Sequence, residues 1–361
     1  MHGADLAAQI FARAPGCDIS GIAGERMRMA GVRAIVKIED IAGMGATELA
    51  ATIRPTMRAF GALRRMLRRE PPDLLILIDF ADFNMKLAWF AHRAGVPVLY
   101  YILPQVWAWR RWRIPTLIRR TDRMAVVFPF EAELYAGACA RVDFVGHPLL
   151  DRVAPAQDRA ATLKRHRLPP RTRLLAVLPG SRRGEIRYLL RPMLEAARIL
   201  CADHDLTPVI ALAPTLNLAD LRAAAGAALD SVHVIEGDTY SIIAASEIAL
   251  VASGTATLET ALLGCPMVIA YKMSPFSYWL GKMLVRGVDF IGMPNVLGGR
   301  LIVPELIQSE VTPMNLVRAA EPMLAPALRE EVAGALASLR TRLGTPGAAA
   351  RVAAIALEMI A

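Results

Sequence analysis

Short apolar runs alternate with helical stretches along most of this 361-residue chain, and the alternation starts afresh once, near residue 158. The first series predicts strands at Asp18–Ile22, Ala34–Ile38, Leu74–Ile78, Val96–Tyr101, Arg123–Val127 and Arg141–Val145, with helices between them such as Asn84–Ala94 and Phe130–Gly137. Asp151 to Asp158, with its proline and charges, reads as a linker. A second series follows, with strands at Leu174–Leu178, Pro208–Leu212, Val232–Ile235, Ile248–Val251 and Pro266–Ile269 and helices such as Ile186–Cys201 and Leu216–Ala227. Strand–helix alternation of this kind requires right-handed crossovers and parallel sheets. The expected class is α/β, with two doubly wound, Rossmann-like domains facing across a cleft, residues 1–150 and 158–330. Helices in 331–361 are expected to pack back across the hinge.

Composition narrows the setting. Hydrophobic residues make up 55%, yet no apolar run reaches the ~18–20 residues a spanning helix needs. The start, Met1-His2-Gly3-Ala4-Asp5, lacks the basic flank and apolar core of a secretory signal. Cys17, Cys139, Cys201 and Cys265 lie far apart and suit a reduced, cytoplasmic protein without a metal site. The net charge of +9 is carried mostly by arginine. It suits phosphates of three kinds: nucleic acid, a nucleotide diphosphate or an anionic lipid surface. No nucleic-acid module is recognisable, so that partner ranks last.

Three peptides sit where strands give way to loops or helices, which is where open α/β sheets bind ligands. Ser253-Gly254-Thr255 opens a helix at Ala256, so backbone N–H groups and the helix dipole favour a phosphate. Glu259, one turn on, can accept both hydroxyls of a ribose; the plainer alternative is an ordinary cap with a solvated glutamate. Leu178-Pro179-Gly180-Ser181-Arg182 leaves Arg182 at a sheet edge, either neutralising a diphosphate or pairing with Glu185. In the first half, Leu74–Ile78 ends in Asp79, with Asp82 just beyond. A carboxylate held rigid and partly desolvated there suits a general base, while Asp82 suits helix capping. Gln105-Val106-Trp107-Ala108-Trp109-Arg110 offers aromatic walls for sugars or acyl chains, or else core.

Together these peptides resemble the lipid A disaccharide synthase family of GT-B glycosyltransferases. The likeness also runs through Ile78-Asp79 to Asn84, Phe128-Pro129-Phe130-Glu131, Val145-Gly146-His147-Pro148, Met293-Pro294-Asn295 and Val303 to Gln308. It implies Asp79 as base and Arg182 as an essential arginine. Uridine diphosphate would lie on Arg182, Ser253, Gly254, Thr255, Glu259 and Asn295, and the acceptor near Asp82, Trp107, Trp109, Arg110 and His147; Asn295 reads equally as a turn former after Pro294, and a lone histidine such as His147 is more often structural. Departures are Ala81 for the family proline, Leu103 and Gln105 for two serines, and Met1-His2-Gly3-Ala4 where the family has a strand and a glycine-rich loop. That last departure leaves the first domain without its usual first strand and points to a start codon placed too late or a trimmed chain.

Residues 50–69 plot as a cationic amphipathic helix, with Arg54, Arg58, Arg65 and Arg69 on one side and Phe60, Leu63 and Leu67 on the other; such a helix can lie in a headgroup layer or pack on a core with its basic face in solvent. Phe276 and Trp279, near Lys282 and Arg286, repeat the theme. The resemblance implies transfer, with inversion, of 2,3-diacylglucosamine from UDP-2,3-diacylglucosamine to 2,3-diacylglucosamine 1-phosphate. It also implies a peripheral enzyme on an anionic inner-membrane lipid surface, facing the cytoplasm, with no cofactor and no metal. Asp203-His204-Asp205 looks like a metal motif but falls between a helix and the next strand, on the wrong sheet edge. A homodimer is left open. The competing readings are another GT-B UDP-sugar transferase or epimerase, and a non-catalytic membrane-binding relative.

Overall fold

Helices carry the chain from the end of each strand back to the start of the next, and every sheet among the described residues is therefore parallel. The computed structural model describes residues 1–42, 49–107, 111–135, 141–275, 278–279 and 289–361, and the side chains of these except 42 and 49–52. Two compact units emerge: Met1–Asp151 with Leu343–Ala361, and Arg152–Arg342.

The first unit contains strands β1 (Ser20–Ala23), β2 (Arg33–Lys37), β3 (Leu75–Ile78), β4 (Val98–Tyr101), β5 (Arg123–Val126) and β6 (Arg141–Phe144). Its helices are α1 (His2–Arg13), α2 (Glu25–Met29), α3 (Glu39–Ala42), α4 (Leu49–Arg69), α5 (Ala81–Arg93), α6 (Ile114–Ile118) and α7 (Pro129–Leu134). β1 and β2 form one sheet and β3-β4-β5-β6 another. β4 and β5 are buried at every position, as inner parallel strands covered on both faces must be. Leu63, Leu67, Phe83, Leu87 and Tyr100 meet in the core between this sheet and helices α4 and α5.

The second unit holds β7 (Arg173–Leu178), β8 (Leu206–Leu212), β9 (His233–Glu236), β10 (Ser246–Ala252), β11 (Met267–Tyr271) and β12 (Glu305–Ile307). Its helices are α8 (Arg159–Arg165), α9 (Arg183–His204), α10 (Leu218–Ala225), α11 (Thr239–Ala245), α12 (Thr255–Leu262), α13 (Met293–Gly298), α14 (Pro313–Ala320) and α15 (Pro326–Arg342). The strand order is β9-β8-β7-β10-β11-β12. This is the doubly wound order in which the unit's first strand, β7, lies beside its fourth, β10. Both are near-continuous apolar runs.

The last helix, α16 (Ala348–Ile360), returns to the first unit and packs on α1, whereas α15 stays with the second. The return is anchored by polar bonds. The His147 N–H donates to the Leu343 carbonyl at 2.9 Å, and Arg351 Nε to the Val145 carbonyl at 2.9 Å. Arg123, almost wholly buried on β5, bridges Asp143 on β6 and Glu358 on α16, each at 2.7 Å. Losing Arg123 would remove both bonds that tie α16 to β5 and β6, while Asp143 and Glu358 keep access to solvent. Arg123→Ala is therefore expected to destabilise the first unit and to speed amide exchange in residues 348–360. Arg141→Ala, which removes the exposed partner of the same Glu358, is expected to change neither.

Candidate active site

β7 and β10 are neighbours, but the chain continues from them toward opposite edges of the sheet. Their C-terminal ends flank the crevice where doubly wound sheets take ligands. Arg182 follows β7 and Ser253-Gly254-Thr255 follows β10, so the topology brings these two peptides to adjacent strand ends.

The turn after β7 is locked by one carboxylate. Glu185 Oε2 accepts the Ser181 N–H at 2.8 Å and the Arg182 N–H at 3.3 Å. The Thr215 hydroxyl donates to the Ser181 carbonyl at 2.6 Å. Gly180 has φ 114°, and a Cβ there would lie 2.4 Å from Glu185 Oε2, so the turn requires glycine on two counts. Because Glu185 is spent on the backbone, the Arg182 guanidinium touches it only at 3.4 Å and stays 78% exposed. A fixed backbone with an exposed cationic head, held to Glu185 by one long contact, is what an anion clamp needs.

At the end of β10, Gly254 has φ 151° and, as the residue capping α12, offers no side chain to the first-turn N–H groups. The Thr257 N–H donates back to the Gly254 carbonyl at 3.1 Å; the donors ahead of it face outward with the positive end of the helix dipole behind them. Ser253 is half-buried and Thr255 exposed. Glu259, one turn further, accepts the Tyr240 hydroxyl on Oε1 at 2.8 Å. Burial raises its pKa above the usual carboxylate range, and the Tyr240 bond partly offsets that.

In the first unit β3 ends in Asp79 and Phe80, both left-handed (φ 49° and 44°). The Asp79 carbonyl accepts the Asn84 amide at 2.7 Å and the Tyr100 hydroxyl at 2.8 Å, while its N–H donates to the Ile102 carbonyl at 3.1 Å. The backbone is held from three sides, and the side chain is exposed. Rigidity is present; the desolvation expected from the sequence is not, because the strand ends at an open edge. Asp82 lies inside the first turn of α5, which begins three residues earlier than expected, and pairs with Arg113 at 2.5 Å. Trp107 is half-buried, edge-on to Phe130 at 5.0 Å. Trp109, Arg110 and Phe276 lie outside the described residues.

The lipid-A-disaccharide synthetase family profile matches residues 1–357. The lipid-A-disaccharide synthase of Geobacter sulfurreducens is 44% identical over 362 residues, covering 100% of this chain and 94% of its own length. That of Syntrophus aciditrophicus is 43% identical over 365 residues, with the same coverage. The chain belongs to the lipid-A-disaccharide synthetase family. It is a glycosyltransferase of lipid A synthesis. Among solved structures, UDP-GlcNAc 2-epimerase from Neisseria meningitidis bound to UDP-GlcNAc aligns with a TM-score of 0.64 at 13% identity, covering 98% of this chain and 96% of that one. The calicheamicin glycosyltransferase CalG4 aligns at 0.61 and 16%, covering 100% and 95%. These likenesses show the GT-B fold of two Rossmann-like domains.

Three expectations for this family member need correction. Asn295 is fully buried and fully used. Its amide donates to the Val303 carbonyl and Glu305, and its oxygen accepts the Ile302 and Val303 N–H groups, all within 3.1 Å. It is an internal strut, not a nucleotide contact. His147 is buried, and its Nδ1 accepts the Leu149 N–H at 3.1 Å. Burial pushes its pKa down to about 4, so it is a neutral structural ring rather than an acceptor contact. Phe60, Leu63 and Leu67 belong to the first unit's core, so they do not face a membrane; Arg54, Arg58 and Arg65 on the same helix are exposed, as is Trp279.

One residue escaped the sequence reading. Glu131, 1% exposed, accepts the Val127 and Phe128 N–H groups at 3.3 and 3.2 Å beneath the aromatic cluster of Trp107, Phe128 and Phe130. Burial pushes its carboxyl up to about 7, against those two N–H groups and the Trp107 indole. A folded-state pKa above the unfolded one adds stability below the ordinary carboxylate range, and that stability is lost as pH rises through about 7. Between about pH 5 and 8, wild type should lose roughly 2–3 kcal/mol in urea unfolding that Glu131→Gln does not lose.

Proposed function

We propose that the chain joins UDP-2,3-diacylglucosamine to 2,3-diacylglucosamine 1-phosphate with inversion, releasing UDP. The observation that carries this reading is the pairing of Arg182 with the open start of α12 on adjacent strand ends, in a chain of this family. In the reaction Asp79 takes the proton from the acceptor 6-hydroxyl. The oxygen bonds to the anomeric carbon as the bond from that carbon to the diphosphate breaks. Arg182 and the α12 N–H groups take up the charge that grows on the departing diphosphate, where it is largest in the transition state. Glu259, with Tyr240 behind it, accepts the ribose hydroxyls. Arg182 and α12 already supply the positive charge a metal would bring, so turnover is proposed to survive EDTA.

The acyl chains of both sugars imply work at a membrane. No helix among the described residues is long and apolar enough to cross one. On α4 the exposed apolar side chains are Ile53 and Met57, beside Arg54 and Arg58. We assign membrane contact to this part of α4, on the cytoplasmic face of the inner membrane. Homodimerisation is not required by this chemistry.

Mass spectrometry of products from both acylated substrates tests the assignment. Asp79→Asn should lower kcat about 10³-fold and leave UDP binding intact; unchanged turnover would remove Asp79 from the mechanism. Equal turnover with non-acylated UDP-GlcNAc would sink the lipid substrate.

The ribose contact predicts a pH dependence. UDP affinity should fall as Glu259 is protonated, at a pH above the ordinary carboxylate range. Tyr240→Phe removes a bond that favours the carboxylate, so calorimetric titration of UDP should show this acid limb moved to still higher pH.

A further inference from the structure

The geometry points to a headgroup site for an anionic phospholipid in a groove between α4 and α5. The groove encloses about 530 Å³. It lies beside the last turns of both helices, which lead into the starts of β3 and β4, so it sits at the sheet edge opposite Asp79. Arg64, Arg68 and Arg93 line it together with Leu67, Trp89 and Phe90, and no carboxylate does. The Arg64 guanidinium lies over the Phe90 ring at 4.6 Å and that of Arg93 over Trp89 at 4.7 Å.

Helix dipoles account for basic residues in a last turn, but not for this convergence. Three cations from two helices share one groove, and stacking fixes two of the guanidinium planes. Arg64 Nε is buried there with no hydrogen-bond acceptor, which is costly unless something supplies one. A phosphate diester provides oxygens for the three arginines. The Trp89 and Phe90 side chains suit the glycerol and first acyl carbons behind it, with Trp in its favoured interfacial setting. A free phosphate would have no use for those walls. The assignment rests on α4 as the membrane-facing helix, since the same helix exposes Ile53 and Met57.

The test measures partitioning of the full chain onto phosphatidylcholine vesicles with and without phosphatidylglycerol. Arg68→Gln/Arg93→Gln should weaken binding to the anionic vesicles about 30-fold, about fivefold per arginine. Arg13→Gln/Arg26→Gln, the same charge change on exposed residues elsewhere in the first unit, should weaken it far less. Equal losses from the two double variants would overturn the groove in favour of diffuse attraction. Soluble dihexanoyl phosphatidylglycerol should alter a fluorescence signal that Trp89→Phe abolishes. That response should persist in Ile53→Ser/Met57→Ser even when vesicle binding is lost, which separates failure of the groove from failure of the membrane-facing helix. Saturation of the same signal by glycerol 3-phosphate at equal affinity would make it a free-phosphate site and overturn the lipid assignment.

Discussion

One carboxylate decides what Arg182 can do. Had Glu185 formed a bidentate pair with that guanidinium, the cation would be neutralised and folded back on its own helix. Instead Glu185 closes the turn by accepting the Ser181 and Arg182 N–H groups, and Gly180 is the residue that lets it come so close. The arginine is thereby fixed at its root, while its head is exposed and meets Glu185 only through one contact at 3.4 Å. The adjacent strand, β10, ends in a second device of the same logic, a glycine-capped helix whose first-turn donors have no side-chain cap. Two structural economies, a used carboxylate and an absent cap, leave positive charge at neighbouring strand ends.

The first unit solves a different problem, aiming one acidic side chain. Two consecutive left-handed residues cost on the order of 1–2 kcal/mol each. Asn84 on α5 and Tyr100 on β4 meet that cost by holding the Asp79 carbonyl. The carboxyl itself is exposed, and its position is set by the held backbone rather than by burial.

Legibility followed periodicity and strand ends. The alternation of apolar runs located β5, β7 and β10 to within about two residues, because a strand buried on both faces has few polar positions to blur its limits. The placement of Arg182 and Ser253–Thr255 at strand ends was legible because punctuation by Pro and Gly marks a strand's end. Asn295 was misread for the opposite reason: Pro-Asn looks the same in sequence whether the amide faces a ligand or, as here, the Ile302–Glu305 backbone and side chains folded over it. Phe60, Leu63 and Leu67 show a related limit. An apolar stripe has the same spacing whether it meets lipid or core, and only the position of α5 decides. Glu131 stood within a peptide of the family likeness, but its burial was not legible, since a buried glutamate and a solvated one in a first helical turn have the same neighbours in sequence.

The sheet of the first unit is split where that of the second is continuous. In the second unit the opening strand β7 is central, bonded to β8 and β10. In the first, β1 pairs with β2 and β3 with β4, and among the described residues neither β1 nor β3 has a partner on its other side. β3, though wholly apolar, is fully buried only at Leu77. Asp79 therefore leaves a strand bonded along one edge, and the bonds that orient it come from the β4 side and from α5. That explains why the expected desolvation is missing while rigidity is retained. Solvent reaches the end of an edge strand, but Tyr100, Ile102 and Asn84 fix the backbone whatever lies on the open side.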